Sequence, residues 1–227
     1  MYFQISNILS HQQIAAVQHK LSHADWVHGR ETAGHLSVRV KENSQLPENH
    51  PLAAELGALI LDQLETNSQF MSAALPLRIV PPLFNRYRPG DEYGRHIDGA
   101  VRSVAGAATR IRTDLSATLF LSDPATYEGG ELVIEESSGA HVQFKLPAGD
   151  LLLYAGSTVH RVTPVRVGVR LASFFWIQSM IRENPRREML YSLDSAIRRL
   201  TADHPEHPAI VDLTAHYHNL VREWADL

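Results

Sequence analysis

Three residues have the types and the spacing of a metal site. His96 and Asp98 lie two apart in GRHIDGA, a predicted strand, so we expect their side chains on the same face. A His-x-Asp pair is common by chance, but His160 follows the apolar run LLLYAG, which predicts a buried strand. Two imidazoles and one carboxylate form the facial triad of non-haem ferrous iron, which leaves coordination positions open for reactants.

The composition favours a metal site built from nitrogen and oxygen. The 227 residues include thirteen histidines and no cysteine, which excludes a thiolate nucleophile, a disulfide, a cysteine-bound zinc and an iron–sulfur cluster. The formal net charge of −4 disfavours a nucleic-acid partner. Because histidine is so frequent, a lone one is weak support for a ligand. We expect His19 and His23, which lack a third ligand nearby, to be surface residues.

Arg170 is the next residue with chemical potential. It begins VRLASFFW, in which alternate residues share one face of a strand. That face carries Arg170, Ala172, Phe174 and Trp176. A buried guanidinium needs an anionic partner, and its planar fork matches a carboxylate. A dicarboxylate ligand would satisfy it, but a structural ion pair with Glu131, Glu135 or Asp150 is the alternative.

Three consecutive zones would position these residues. In residues 1–75, a mixed support region, Ser10 and Gln13 have the spacing of a helix capping box and Pro51 suits the start of a second helix. Residues 76–180 alternate short β-type runs with turn residues, which predicts a jelly roll. Residues 181–227 are predicted to be a helical extension that packs on the β core. The expected fold class is mainly β with flanking helices.

A segment rich in Gly, Ala and Arg follows the first two candidate ligands. Its small residues and its place in the chain predict a mobile lid at residues 100–112, although a surface loop without a role is the alternative. Arg102, Arg110 and Arg112 give it a basic bias that suits an anionic substrate. Such charge clusters are, however, more often solvated surface.

Three longer stretches carry a family resemblance. They are FNRYRPGDEYGRHIDGAVRS, GGELVIEE and AGDLLLYAGSTVHRVTPVRVGVRLASFFWIQS, in this order. Together they resemble the iron(II)- and 2-oxoglutarate-dependent dioxygenases, specifically the bacterial, prolyl-4-hydroxylase-like group of PKHD-type hydroxylases, over most of the chain. The resemblance implies a double-stranded β-helix, which is a jelly roll. It also implies that decarboxylation of 2-oxoglutarate to succinate is coupled to hydroxylation of a substrate.

The resemblance also implies roles for single residues. His96, Asp98 and His160 would ligate Fe(II), Arg170 would bind the distal carboxylate of 2-oxoglutarate, and L-ascorbate would keep the iron reduced.

Residues around this site can be assigned by the same resemblance. Tyr87 would lie near 2-oxoglutarate, and Trp176 would lie near the iron. Phe120 stands where animal prolyl hydroxylases have a tyrosine that helps to hold the distal carboxylate. The missing hydroxyl removes a hydrogen bond worth about 1 kcal/mol. Thr118 and Ser173 are the candidates to replace it.

Partners and setting are less specified. We expect O2 and an unidentified protein or small-molecule substrate as partners, and the C-terminal helices could form a homodimer. The N-terminus lacks the basic start of a secretory signal and no apolar run approaches the roughly 18 residues of a membrane span, so we expect a cytoplasmic protein without a membrane partner. The resemblance suggests a role in bacterial iron homeostasis.

Two other functions would use the same metal site. A cupin-like protein could bind or sense iron, oxygen or 2-oxoglutarate without catalysis. A metal-dependent isomerase on a cupin barrel is disfavoured because it leaves Arg170 and Trp176 without a role. The motifs of zinc metalloproteases, P-loop or dinucleotide-binding proteins and serine hydrolases are absent from the sequence.

Overall fold

The computed structural model describes residues 2–32, 40–103 and 110–227. Among the helices of these residues, none combines the length and the apolarity that crossing a bilayer requires.

The N-terminal region supplies three helices. Helix α1 (His11–Ser22) begins at the predicted capping box, in which the Ser10 hydroxyl accepts from the Gln13 amide and the Gln13 side chain accepts from the Ser10 amide. Helix α2 (Pro51–Thr66) begins at the predicted proline, and α3 (Ser68–Ala74) follows. Both predicted helix starts are confirmed.

The described N-terminal and central residues also form seventeen strands. They are β1 (Tyr2–Ile5), β2 (Val27–His28), β3 (Lys41–Glu42), β4 (Ser44–Gln45), β5 (Pro76–Ile79), β6 (Leu83–Tyr87), β7 (Glu92–His96), β8 (Val101–Ser103), β9 (Arg110–Arg112), β10 (Leu115–Phe120), β11 (Glu128–Gly129), β12 (Leu132–Glu135), β13 (His141–Phe144), β14 (Leu151–Ala155), β15 (His160–Val162), β16 (Val165–Val167) and β17 (Arg170–Ser179).

Two antiparallel sheets contain most of these strands. The larger sheet has the order β1-β14-β10-β17-β6-β4-β2, with β5 also beside β17, and the smaller sheet has the order β13-β12-β15-β7-β3. Strands far apart in the sequence are neighbours in both sheets, as in a jelly roll. The predicted mainly β fold with flanking helices is confirmed.

Strand β10 separates the main apolar core from the inner side of the larger sheet. Leu115, Ala117 and Leu119 belong to the core that residues of α1, α2 and α3 share. Ser116 and Thr118 alternate with them and line a cavity instead. The helices therefore close one face of the larger sheet, which leaves the other face for a site.

The C-terminal region forms two helices, α4 (Asn184–Asp203) and α5 (Ala209–Trp224). Leu190 of α4 packs in a cluster with Leu75 and Ile181, which Leu220 and Trp224 of α5 also contact. The extension therefore packs at the end of α3 and after β17, and its contact with the β core includes the ring of Tyr191 against that of Phe3 in β1.

Two local predictions differ from the structure. His96 is the last residue of β7, so Asp98 lies beyond the strand that was predicted to contain both. The predicted lid loop contains strands: β8 and β9 pair as a hairpin with Val101 opposite Arg112, and the buried Ile111 anchors it. Residues 104–109 of the predicted lid lie outside the described residues.

Candidate active site

The two candidate histidines meet at a contact between two strands of the smaller sheet. His96 of β7 is directly opposite His160 of β15 in the register. The Nε2 atoms of His96 and His160 lie 3.9 Å from Oδ1 and Oδ2 of Asp98, respectively. One ligand atom of each residue lies within 4.8 Å of the other two, so these three residues could hold one metal ion.

Backbone contacts fix the orientation of both imidazoles. Nδ1 of His96 lies 2.8 Å from the Gly94 carbonyl oxygen, and Nδ1 of His160 lies 3.0 Å from that of Thr158. Because a carbonyl oxygen can only accept, each Nδ1 donates, and each Nε2 keeps its lone pair for a metal. Burial, and next the charge of His160, lower the pKa of His96 to about 4, so His96 is neutral near pH 7.

The carboxylate is also held in place. The Ser116 hydroxyl of β10 donates to Oδ2 of Asp98 at 2.6 Å. The ring of Tyr93 is stacked on His96, with 3.6 Å between the ring centroids and 13° between the planes. The short hydrogen bond from Ser116 therefore links the triad, which lies at the smaller sheet, to β10 of the larger sheet.

Arg170 lies on the larger sheet with unused donors. Its side chain is 1% exposed, and Nε and Nη1 are buried without a hydrogen-bond partner in the described part of the chain. The guanidinium carbon lies 5.2 Å from the Tyr87 ring and 5.4 Å from the Phe120 ring. Burying unpaired N–H groups of a cation is costly, so this position requires an anion.

The predicted alternative for Arg170 is wrong, because the three acidic candidates have other partners. Glu135 forms an ion pair with Arg95, Glu131 accepts from the Thr163 hydroxyl, and Asp150 accepts from the Asn7 amide at 2.9 Å. None of these three carboxylates pairs with Arg170, so its guanidinium is available to an anionic ligand.

Gly130, in the GGELVIEE stretch, makes room for this arginine. Its φ of +67° is in the left-handed region, and a Cβ there would lie 3.0 Å from Cδ of Arg170. A side chain at this position would therefore strain the backbone and crowd the arginine.

The triad and Arg170 line a single cavity of about 550 Å³. Of the other predicted site residues, the cavity is lined by Tyr87, Thr118, Trp176 and Arg102. The guanidinium carbon of Arg102 lies 4.5 Å from the Trp176 ring, and Arg102 forms an ion pair of 3.1 Å with Glu48.

Four predicted residues do not line this cavity. Phe120 contributes its ring to the surroundings of Arg170 instead. Ser173 lies on the other face of β17, and its hydroxyl donates to the Leu83 carbonyl, so it does not replace the missing tyrosine hydroxyl. Arg112 forms ion pairs with Asp114 and Asp226. Arg110 is exposed at the start of β9.

Several cavity residues were not predicted from the sequence. Among them are Lys41 of β3, Asn85 of β6, Ser116 of β10 and Tyr154 of β14. Burial, and next the charge of Asp98, raise the pKa of Tyr154 well above its ordinary value, so its hydroxyl remains a donor. The alternation in DLSATLF, which places Ser116 and Thr118 on one face, was the signal that could have identified Ser116.

Comparisons with known proteins agree with this geometry. Residues 82–178 match the 2OG-Fe(II) oxygenase superfamily, and residues 185–226 match the PKHD-type hydroxylase C-terminal domain. The fold is that of a 2OG-Fe(II) oxygenase. A PKHD-type hydroxylase of Xanthomonas campestris pv. campestris (strain B100) is 53% identical over 229 residues, and one of Bordetella pertussis is 52% identical over 227 residues. Both matches cover all of each chain.

The chain belongs to the PKHD-type hydroxylases. It is an Fe(II)- and 2-oxoglutarate-dependent dioxygenase that couples formation of succinate to hydroxylation of a substrate, with O2 as the second cosubstrate. The family resemblance predicted from the sequence is confirmed.

Solved structures share the fold at low sequence identity. A Pseudomonas putida prolyl-4-hydroxylase matches with a TM-score of 0.55 and 20% identity, over 78% of this chain and 92% of that one. A Trichoplax adhaerens prolyl hydroxylase, solved with a hypoxia inducible factor peptide fragment, matches with a TM-score of 0.55 and 14% identity, over 78% and 82%. These similarities concern the fold alone.

Proposed function

We propose that His96, Asp98 and His160 hold Fe(II), and that Arg170 binds the distal carboxylate of 2-oxoglutarate. The observation that carries this proposal is the unpaired, buried guanidinium in the same cavity as two imidazoles and a carboxylate. The donor set fits ferrous iron, and the fork of Arg170 fits a carboxylate. The Tyr87 ring lies 5.2 Å from the guanidinium carbon.

Bound iron with 2-oxoglutarate and O2 supplies the oxidation, in which 2-oxoglutarate loses CO2 to give succinate and a substrate C–H bond becomes C–OH. The protein contributes orientation, charge and the exclusion of water. Gly94 and Thr158 hold the imidazoles through their carbonyls, and Ser116 holds Asp98. Arg170 neutralises and orients the cosubstrate.

The hydroxyl that Phe120 lacks is supplied, in this proposal, by Tyr154 or Thr118. Both line the cavity, and Tyr154 also lies within the electrostatic influence of Arg170. A protonated tyrosine can donate to a carboxylate at small cost because it carries no charge of its own. Trp176 forms an aromatic wall of the same cavity.

Further features of the proposal concern the setting. L-ascorbate would keep the iron reduced, and the protein would work in the cytoplasm within bacterial iron homeostasis. The substrate is a protein or a small molecule, and α4 and α5 would form a homodimer surface.

The chain would act as a support region (1–75), an oxygenase core (76–180) and a helical extension (181–227), which the family matches at 82–178 and 185–226 support.

The test is release of succinate from 2-oxoglutarate by the iron-loaded protein. His96→Ala and Asp98→Ala should abolish iron-dependent succinate release, because each removes a ligand. His141→Ala serves as the matched control, since His141 lies on β13 of the same sheet outside the cavity. Turnover like that of the wild type in either ligand variant would refute the metal assignment. A sensing protein on this fold would instead bind 2-oxoglutarate and release no succinate.

A further inference from the structure

The cavity has a second cationic region at a distance from Arg170. Lys41 of β3 and Arg102 of β8 both line it. We propose that this region binds a carboxylate of the substrate, so that the enzyme hydroxylates an organic acid with one carboxylate and an apolar body. The proposal rests on the proposed function, because it assigns the Arg170 end of the same cavity to 2-oxoglutarate.

Strand β17 gives the separation between the two regions. Arg170, Phe174 and Trp176 lie on one face of this strand, four and six residues apart. At about 3.3 Å per residue, the two aromatic residues are about 13 and 20 Å along the strand from Arg170. The Lys41 Nζ lies 5.9 Å from the Phe174 ring, and Arg102 lies over Trp176. One small dicarboxylate that reaches from Arg170 to the triad therefore does not extend to this end.

Electrostatics favour an anion between the two cations. Lys41 is 4% exposed, and its Nζ donates to Oε1 of Gln45 at 2.8 Å. Burial, and next the positive charge of Arg102, lower the pKa of Lys41 to about 8, while Asp98 and Glu48 oppose this change. Two like charges in a partly dry cavity destabilise each other until an anion binds between them.

Arg102 has a donor that its ion pair with Glu48 does not use. Nε of Arg102 is buried and has no hydrogen-bond partner among the described residues. A carboxylate is the acceptor that suits such a charged donor, and one carboxylate between Arg102 and Lys41 would contact both cations.

The walls around the two cations are apolar. Leu83, Phe174 and Trp176 line this part of the cavity, and Ile97 and Val101, each about half exposed, lie at its rim. Lys41 Nζ lies 5.5 Å from the Tyr93 ring, which is stacked on the candidate ligand His96. A carboxylate at Lys41 thus places the neighbouring carbon atoms of an apolar body toward the triad.

The experiment compares acids with their uncharged amides. The protein is loaded with Zn(II), which supports no oxidation, and with saturating N-oxalylglycine, which occupies the 2-oxoglutarate position. Dissociation constants are measured by ligand-observed NMR for pairs of carboxylic acid and carboxamide with phenyl, cyclohexyl and butyl bodies. A second arm uses short peptides with a free or an amidated C-terminus, because a peptide could present the same carboxylate.

We expect at least one acid to bind about tenfold more tightly than its amide. Lys41→Gln and Arg102→Gln should each reduce this preference to below about threefold, and Lys41→Arg should retain most of it. Lys145→Gln is the matched control: Lys145 also lies over an aromatic ring, that of Tyr127, but outside the cavity. The control should keep the full preference. A preference in the first arm identifies a free acid as the source, and a preference only in the second identifies a peptide.

Equal binding of acid and amide in every pair would overturn the proposal, as would a preference that survives both Lys41→Gln and Arg102→Gln. These outcomes differ from a failure of the proposed function. If the proposed function fails, N-oxalylglycine itself does not bind to the metal-loaded wild type. If only this proposal fails, N-oxalylglycine binds but the acids bind no more tightly than their amides.

Discussion

The two ends of the cavity bind charge in different ways. At one end, Arg170 lies on β17, a central strand of the larger sheet. At the other end, Lys41 belongs to the two-residue strand β3 at the edge of the smaller sheet, and Arg102 belongs to a short hairpin. The strand of Arg170 lies between β10 and β6, whereas Lys41 and Arg102 belong to short elements at the periphery.

This difference matches the ligands assigned to each end. A cosubstrate shared by a superfamily requires one fixed geometry, which a central strand provides. A substrate that differs between enzymes is better served by short peripheral segments, which can change without disturbing the core. The comparison predicts that changes at the two ends affect different ligands.

The largest expected effect is on binding of 2-oxoglutarate. Arg170→Gln removes two charge-assisted hydrogen bonds, each worth about 1.5 to 3 kcal/mol, so the dissociation constant should rise by about 100-fold or more. Calorimetric titration of 2-oxoglutarate into Mn(II)-loaded protein measures this change. Mn(II) affinity should remain that of the wild type, and Lys41→Gln should change the constant for 2-oxoglutarate by less than about twofold. A large effect of Lys41→Gln on that constant would contradict the assignment of different ligands to the two ends of the cavity.

The second effect is the pH dependence of stability that Lys41 produces. The pKa of Lys41 is about 8 in the folded protein and about 10.5 when unfolded. The unfolded state therefore binds more protons between these values, and stability rises with pH there. Relative to Lys41→Met, the free energy of unfolding should increase by about 2 kcal/mol from pH 7.5 to 9.5. Urea denaturation of both proteins measures this; a difference independent of pH would contradict it.

The third effect lies at the triad, between the two ends. Ser116→Ala removes the hydrogen bond to Asp98 and should lower metal affinity about tenfold. Ser173→Ala is the matched control, because Ser173 lies on the other face of β17 and its hydroxyl donates to a backbone carbonyl. Competition with a metal-binding dye measures both variants. Equal metal affinities in the two would remove Ser116 from the site.

The smallest effect distinguishes the two hydroxyls near Arg170. Tyr154→Phe should raise the dissociation constant of 2-oxoglutarate about fivefold, as expected for one lost hydrogen bond of about 1 kcal/mol. Thr118→Val provides the comparison in the same titration. If neither substitution changes the constant, no hydroxyl replaces the one that Phe120 lacks.

The sequence was sufficient for the parts of the site that local patterns encode. Period-two alternation placed Arg170 and Trp176 on one face of β17, and the same alternation excludes Ser173 from that face. The overall β architecture was also predictable, because turn residues punctuate the apolar runs.

The remaining site depends on contacts between distant segments. Lys41 lies in a two-residue strand that pairs with β7. Tyr154 enters the cavity because β14 pairs with β10, where it is opposite Ser116. No local pattern encodes such pairings. Asp98 lies beyond the end of β7, so the alternation of side chains along a strand does not predict its position in the triad.

A crystal structure of the protein grown without O2, with Mn(II) and 2-oxoglutarate bound, tests the central claim most directly. The account predicts Mn(II) bound by Nε2 of His96, Nε2 of His160 and a carboxylate oxygen of Asp98. It also predicts the distal carboxylate of 2-oxoglutarate on the guanidinium of Arg170, with none bound at Lys41 and Arg102. A metal ion held by other residues, or 2-oxoglutarate with its distal carboxylate on Lys41 and Arg102, would contradict it.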